Sequence, residues 1–407
     1  MGSGSERKLP RREFLLAGTA ALASTTPVAR AAFRGLDRLD ASSGLPKPER
    51  SGIEHVIVVM MENRSFDHLL GWLPGADGKQ AGLTYVDRHG QKQATYRLAP
   101  DYQGCGHPDP DHTASAGRIQ YNGGKCDGFL RSPYSDRYAI GYYGADDLPF
   151  LGRAAPDWTT CDRYFSAVMA ETHPNRVYQH AGVALGLDEG TQILRLPTIW
   201  DRLAARKVSG RSYHGSGASF LADWGHKYDS IVRSNDDFLA ACRTGRLPHV
   251  AFVDPPRAGS ERGVSADDHP YGDIRAGEHF LNQIYDAVCG SRAWRSSVLV
   301  ITFDEWGGFF DHVPPPRAPD VSPELRLRGF RVPTLVISPF ARRRFVSHRV
   351  FDHTSILRMI EWRWRLRPLS VRDARANNLA TVLDFGRRDL RAPKYQVPKV
   401  APQPCKK

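Results

Sequence analysis

At 407 residues, 41% of them hydrophobic and 25% charged, the chain is globular and long enough to bury one large core or two smaller ones. Its formal net charge of +12 suits anionic lipid headgroups, phosphorylated molecules or plain solubility equally well. No zinc-finger spacing and no RNA-binding aromatic motif accompanies that charge, which excludes a specific nucleic-acid reader.

The chain opens with Arg7, Lys8, Arg11 and Arg12, an apolar stretch from Phe14 to Ala23, and the small-residue pattern Ala29-Arg30-Ala31. This order predicts a cleaved export signal over residues 1–31. The pair Arg11-Arg12, followed by Glu13-Phe14-Leu15, is of the twin-arginine type, so the twin-arginine export machinery is an expected partner and the extracellular space or cell envelope the expected location. A membrane anchor is the alternative, but the apolar run falls far short of the ~20 residues a spanning helix needs. Residues 1–31 carry five basic and two acidic side chains, so the mature chain keeps a net charge of +9. Peripheral contact with an anionic membrane surface fits that charge.

After a polar lead-in over residues 32–52, His55 to Met61 form a continuous apolar run rich in β-branched residues, the pattern of a strand buried on both faces. His249–Val253, Val298–Phe303 and Thr334–Ser338 repeat that character. A helix is predicted to open at Asp273, with Phe280, Leu281, Ile284, Tyr285 and Val288 on one face and Gly290 as its stop. A second is capped by Asp352 and carries Ile356, Leu357, Ile360 and Trp364. Strands alternating with helices give an α/β fold with a mostly parallel central sheet covered on both faces. We place one domain over residues 53–386, with long excursions between about 76 and 165 over the active face and an extended or disordered tail over 387–407. The six cysteines include no Cys-x-x-Cys pair; Cys105 with Cys126 closes a plausible loop, one of several pairings left open.

In parallel sheets ligands bind beyond the carboxyl ends of the strands. The first strand is followed by Glu62-Asn63, the second apolar run by Asp254, and the third by Asp304-Glu305. Glu62, Asn63, Asp304 and Glu305 therefore form an oxygen-rich set suited to one divalent cation. Each carboxylate taken alone is as well explained by a helix cap or an arginine partner. In Glu171-Thr172-His173-Pro174-Asn175-Arg176, Pro174 suits a first helical turn, and Thr172 then sits at a helix N-terminus. There it is either an ordinary cap or a hydroxyl beside a bound phosphate, able to act as a nucleophile. His112, His269 and His312, each preceded by an aspartate, can bind phosphate oxygens or move protons.

The segments HVIVVMMENRSFDHLLGWL at 55–73, ETHPNR at 171–176, DDHP with the later Gly277-Glu278, and TFDEWGGFFDHVPPP at 302–316 together resemble the bacterial phosphoesterase family of phospholipases C and acid phosphatases. The resemblance runs in order from about residue 53 to 366. It implies an alkaline-phosphatase-like fold and a covalent phospho-enzyme. Position by position it implies that Glu62, Asn63, Asp304 and Glu305 bind the metal, Thr172 is the nucleophile, and His112 and His269 lie near the phosphate, which Asn63 also contacts. His312 matches the motif without an assigned role. The chain stops soon after the matching region, without the C-terminal β domains of the larger phospholipases, so haemolytic action is not expected. A phospholipid or other phosphate ester is the expected substrate, with phosphodiester cleavage first and acid phosphomonoesterase activity second. The rival of another class is a secreted metal- or phosphate-binding protein without turnover. A sulfatase-like reading is disfavoured, since Thr172 cannot supply the formylglycine that such enzymes use.

Overall fold

The computed structural model describes residues 44–188, 190 and 192–405. The export signal expected over residues 1–31 and most of the lead-in lie outside the described residues. Eight strands build the central sheet: β1 (His55–Met61), β2 (Thr159–Cys161), β3 (Gly210–His214), β4 (Val232–Ser234), β5 (Val250–Asp254), β6 (Ser297–Phe303), β7 (Leu335–Ile337) and β8 (Phe345–Ser347). They lie side by side in the order β8-β2-β7-β6-β1-β5-β3-β4. Every residue of β1 from Val56 onward and every residue of β6 is buried, as continuous apolar runs require when helices flank the sheet.

All neighbours pair in parallel except at β7, which runs against both β6 and β2. The reversal matters at the working edge. Thr334, at the start of β7, faces Thr302 there with their hydroxyls 2.8 Å apart, while Ser338 turns to the opposite edge and donates to Ser297 O at 2.7 Å. The registers Met61↔Phe303 and Val59↔Val253 place Glu62, Asp304 and Asp254 together beyond one edge.

Three helices position the functional groups: α1 (Thr172–Ala181), α2 (Ile274–Cys289) and α3 (His353–Trp364). Asp273 caps α2 by accepting from Arg275 N, and the helix buries Phe280, Leu281, Ile284, Tyr285 and Val288, as the spacing predicts. Asp352 caps α3 by accepting from Thr354 N at 2.9 Å, a contact of the kind whose loss costs ~1 kcal/mol. The stretch expected to be an irregular excursion contains a helix, Ala114–Tyr121, and ends in β2, which joins the central sheet.

The cysteine expectation is corrected. Cys105 pairs with Cys405, whose Cα atoms lie 5.4 Å apart, and Cys126 is a buried free thiol. Proximity in sequence favoured Cys126, but the tail crosses the domain and brings Cys405 to Cys105. That tail is extended and packed: Tyr285 Oη donates to Pro393 O at 2.8 Å, Trp294 Nε1 to Leu390 O at 2.8 Å, and Trp158 Nε1 to Tyr395 Oη at 3.1 Å. Among the described residues no helix is long and apolar enough to cross a membrane.

Candidate active site

β5 ends in a carboxylate, β1 and β6 are each followed directly by one, and one arginine holds all three. Arg176, fully buried on α1, donates to Glu62 Oε1 at 2.6 Å, Asp254 Oδ1 at 2.9 Å and Asp304 Oδ2 at 3.3 Å. Charge-assisted bonds of this kind fix the carboxylate rotamers. Each engages one oxygen and leaves the other to face a neighbour: Glu62 Oε2 points to Thr172, and Asp304 Oδ1 accepts from the backbone of Asn63 at 3.0 Å and of Glu305 at 2.7 Å.

Thr172 is the first residue of α1, with Glu171 in the cap position. Its hydroxyl caps nothing; it donates to Glu62 Oε2 at 3.4 Å and accepts from Asn63 Nδ2 at 3.3 Å. The side-chain amide of Asn63 also donates to Glu305 Oε1 and lies 3.4 Å from His112 Nε2. Thr172, Glu62, Asn63, Glu305 and His112 thus share one cluster. Asn63 adopts a φ of +56°, a left-handed backbone that asparagine tolerates better than most residues and that recurs at functional sites. Gly307 presses against it, for a Cβ there would meet Asn63 O at 2.0 Å.

Two observations test whether a metal ion fits these residues. The Asn63 Oδ1 atom is buried without a hydrogen-bond partner, an acceptor left without a donor or a cation. Burial, reinforced by the charge of Glu62, holds Asp304 above the usual carboxylate range, and burial with the charge of Asp304 does the same to Glu305. A hard divalent cation would satisfy the orphaned oxygen and offset the crowded charge, so the group fits, with Glu62, Asn63, Asp304 and Glu305 as its holders.

The histidines separate. For His112, burial alone would favour the neutral ring, but Glu305 and then Asp109 outweigh it and push the pKa up to about 10. Its Nδ1 donates to Pro110 O at 2.7 Å, which turns Nε2 toward Asn63. His269 is reached through an aspartate: its Nε2 lies 3.5 Å from Asp109 and 3.4 Å from Glu261. Asp109, Glu261 and His269 also bring one potential ligand atom each within 4.8 Å of one another. His312 belongs to a different group, where its Nδ1 contacts Asp67 Oδ2 at 2.5 Å and its Nε2 contacts Asp77 Oδ1 at 3.2 Å. That group contains the buried Arg331, which already donates to Asp67 and Asp311.

The phosphoesterase family model matches residues 53–367, which carry every residue of both clusters. The chain belongs to the phosphoesterase family. It is a hydrolase of phosphoric esters. Relatives of this phosphoesterase include non-specific phospholipase C1 of Arabidopsis thaliana, 29% identical over 89% of this chain and 76% of that one. Phospholipase C A of Mycobacterium tuberculosis is 28% identical over 77% of this chain and 73% of that one. Among solved structures, the lipoteichoic acid synthase LtaP from Listeria monocytogenes aligns with a TM-score of 0.44 at 9% identity, covering 84% of this chain and 82% of that one.

Sequence reasoning gave no role to Arg176, Asp254 or Asp109. Arg176 stands inside the ETHPNR segment and Asp254 directly after an apolar strand, so both were visible, but no local signal says that they meet. Asp109 carried a weaker sign, as one of two aspartates just before His112.

Proposed function

We propose that this phosphoesterase is an exported, metal-dependent enzyme that cleaves phosphodiesters of phospholipids through a covalent phospho-threonine. The observation that carries the reading is the Thr172 hydroxyl, which sits at the start of α1 between Glu62 Oε2 and Asn63 Nδ2 and caps no helix. A nucleophile needs a proton acceptor within reach and a site for the phosphoryl charge beside it. Glu62 supplies the first, and the positive end of the helix dipole at the start of α1 supplies the second.

In the first step Thr172 Oγ bonds to phosphorus as the bond from phosphorus to the ester oxygen breaks. The threonine proton passes toward Glu62, and His112 or His269 gives a proton to the departing alcohol. In the second step a water oxygen bonds to phosphorus and gives its proton to the histidine, while the bond to Thr172 Oγ breaks and the proton held at Glu62 returns to that oxygen. A divalent cation held by Glu62, Asn63, Asp304 and Glu305 would polarise a phosphoryl oxygen throughout. Asn63, tied to both Thr172 and His112, orients the phosphate between them.

The names of the relatives, phospholipases C, support a diester as substrate, and the pattern of residues 1–31 supports export. The test is hydrolysis of p-nitrophenylphosphorylcholine and p-nitrophenyl phosphate by the purified mature protein, with and without chelator, beside Thr172→Ala. Chelator-sensitive diester cleavage that the variant loses is the expected result. Preference for the monoester would make the enzyme a phosphatase, and full activity of the variant would remove the assigned nucleophile.

A further inference from the structure

His112 and His269 stand on different loops, and a single carboxylate lies between them. Asp109 Oδ1 is 3.9 Å from His112 Nδ1, and Asp109 Oδ2 is 3.5 Å from His269 Nε2. The Oδ1 atom is out of water and has no hydrogen-bond partner. Asp109 is itself anchored to the second loop, since its backbone N–H donates to Tyr271 Oη at 2.8 Å, two residues beyond His269. A second tie runs alongside, from Gln103 Nε2 to Gly263 O at 3.3 Å. The loop that carries His112 is thus bound to the loop that carries His269 through Asp109, by both backbone and side chain.

We propose that Asp109 is a positioning residue that couples His112 and His269 into one phosphate-binding unit. The inference rests on the reading that both histidines face the phosphate. A carboxylate between two imidazoles holds both loops in place: it faces His269 Nε2 directly, and it attracts His112, whose Nδ1 hydrogen bond goes to Pro110 O, through charge alone. Alone, an anion placed beside a phosphate site would repel the ligand. Asp109 therefore has two opposed effects whose balance can be read: as a bystander it weakens phosphate binding, and as a positioner it strengthens binding.

The experiment measures inorganic phosphate affinity by calorimetry, and kcat on the chromogenic diester, for the wild type, Asp109→Asn, His112→Ala, His269→Ala and their combinations. Asp109→Asn is expected to weaken phosphate binding and lower kcat by about 10- to 100-fold, the range for an outer residue that orients reacting groups. Its effect should shrink in either single-histidine background and fall to within about twofold when both are alanine, because coupled residues are not additive. Tighter phosphate binding by Asp109→Asn, or the same loss with both histidines removed, would overturn the proposal.

If Asp109→Asn does not fold, the two histidine variants and their double decide instead, since additive losses would show that nothing couples them. Tyr271→Phe, which removes the anchor without touching a charge, should reproduce part of the loss. A wild type that hydrolyses neither ester would remove the reading of the reaction, while the phosphate-binding cycle would still decide the role of Asp109.

Discussion

The same two stretches of sequence build two buried charge clusters of opposite character. ENRSFD places Glu62 and Asn63 in one and Asp67 in the other; DEWGGFFDH places Asp304 and Glu305 in the first, Asp311 and His312 in the second. Each has a buried arginine at its centre, Arg176 or Arg331. In the second cluster every group is satisfied: Asp67 takes Lys79 N, His312 and Arg331, and Asp311 takes Val313 N and Arg331. In the first, Asn63 Oδ1 has no partner; burial holds carboxylates above their usual range in both clusters, Asp304 and Glu305 in one and Asp311 in the other. A completed network stiffens a fold, whereas an incomplete one is free to take a ligand.

If that contrast is right, Thr172→Ala gives the largest effect, a loss of about 10⁴-fold in turnover or ~5 kcal/mol of barrier, with a thermal midpoint near that of the wild type. Arg331→Met should act the other way. It strips two buried carboxylates of their cation and is expected to cost about 3–5 kcal/mol in denaturant unfolding. Activity that falls while stability holds would show that the second cluster works in the reaction.

Metal addition should separate the clusters next. At a hundredfold excess over its dissociation constant a divalent ion is expected to stabilise the metal-free wild type by ~2.7 kcal/mol. Glu305→Gln should lose much of that gain and Asp311→Asn should keep it, as melting with and without the ion would show.

A third place where buried oxygens lack partners gives an effect that is absent at low pH and grows with it. Glu278 accepts from the backbone of Phe150 at 2.6 Å and of Leu151 at 2.9 Å, yet its Oε1 is unpaired. Here protonation takes the place of a ligand, for burial pushes its pKa from 4.5 up to about 8. A raised folded-state pKa means that the folded chain holds the proton longer. Its contribution to stability is therefore full below about 4.5 and is lost as pH rises through about 8. Glu278→Gln should match the wild type at pH 5 and gain on it by at most ~1.4 kcal/mol per pH unit toward pH 8. Parallel melting curves at all pH values would contradict the assignment.

Much of the fold was legible because its signals are local. β1 and β6 are apolar runs long enough to mean only a buried strand, and Asp273 and Asp352 announce their helices. The direction of β7 was not, since an apolar run carries no sign of which way it points. β2, at three residues, is too short to rise above its surroundings. In the site, acids after apolar strands pointed to Glu62, Asp304 and Glu305 as neighbours, but the arginine that joins Glu62 and Asp304 lies on a helix more than a hundred residues from either strand end. The histidines make the limit plain. Asp111-His112 and Asp311-His312 are the same dipeptide, yet one ring reaches Asn63 and the other closes a structural ion pair. Only long-range packing tells them apart.

The bond between Cys105 and Cys405 spans 300 residues of sequence, so the greater part of the chain is a covalent ring. A protease that cuts any exposed loop between residues 106 and 404 opens the ring without releasing a piece. The nicked molecule would migrate as a single species in electrophoresis until a reductant separates it. For an enzyme expected to work outside the cell, one cut does not become two fragments.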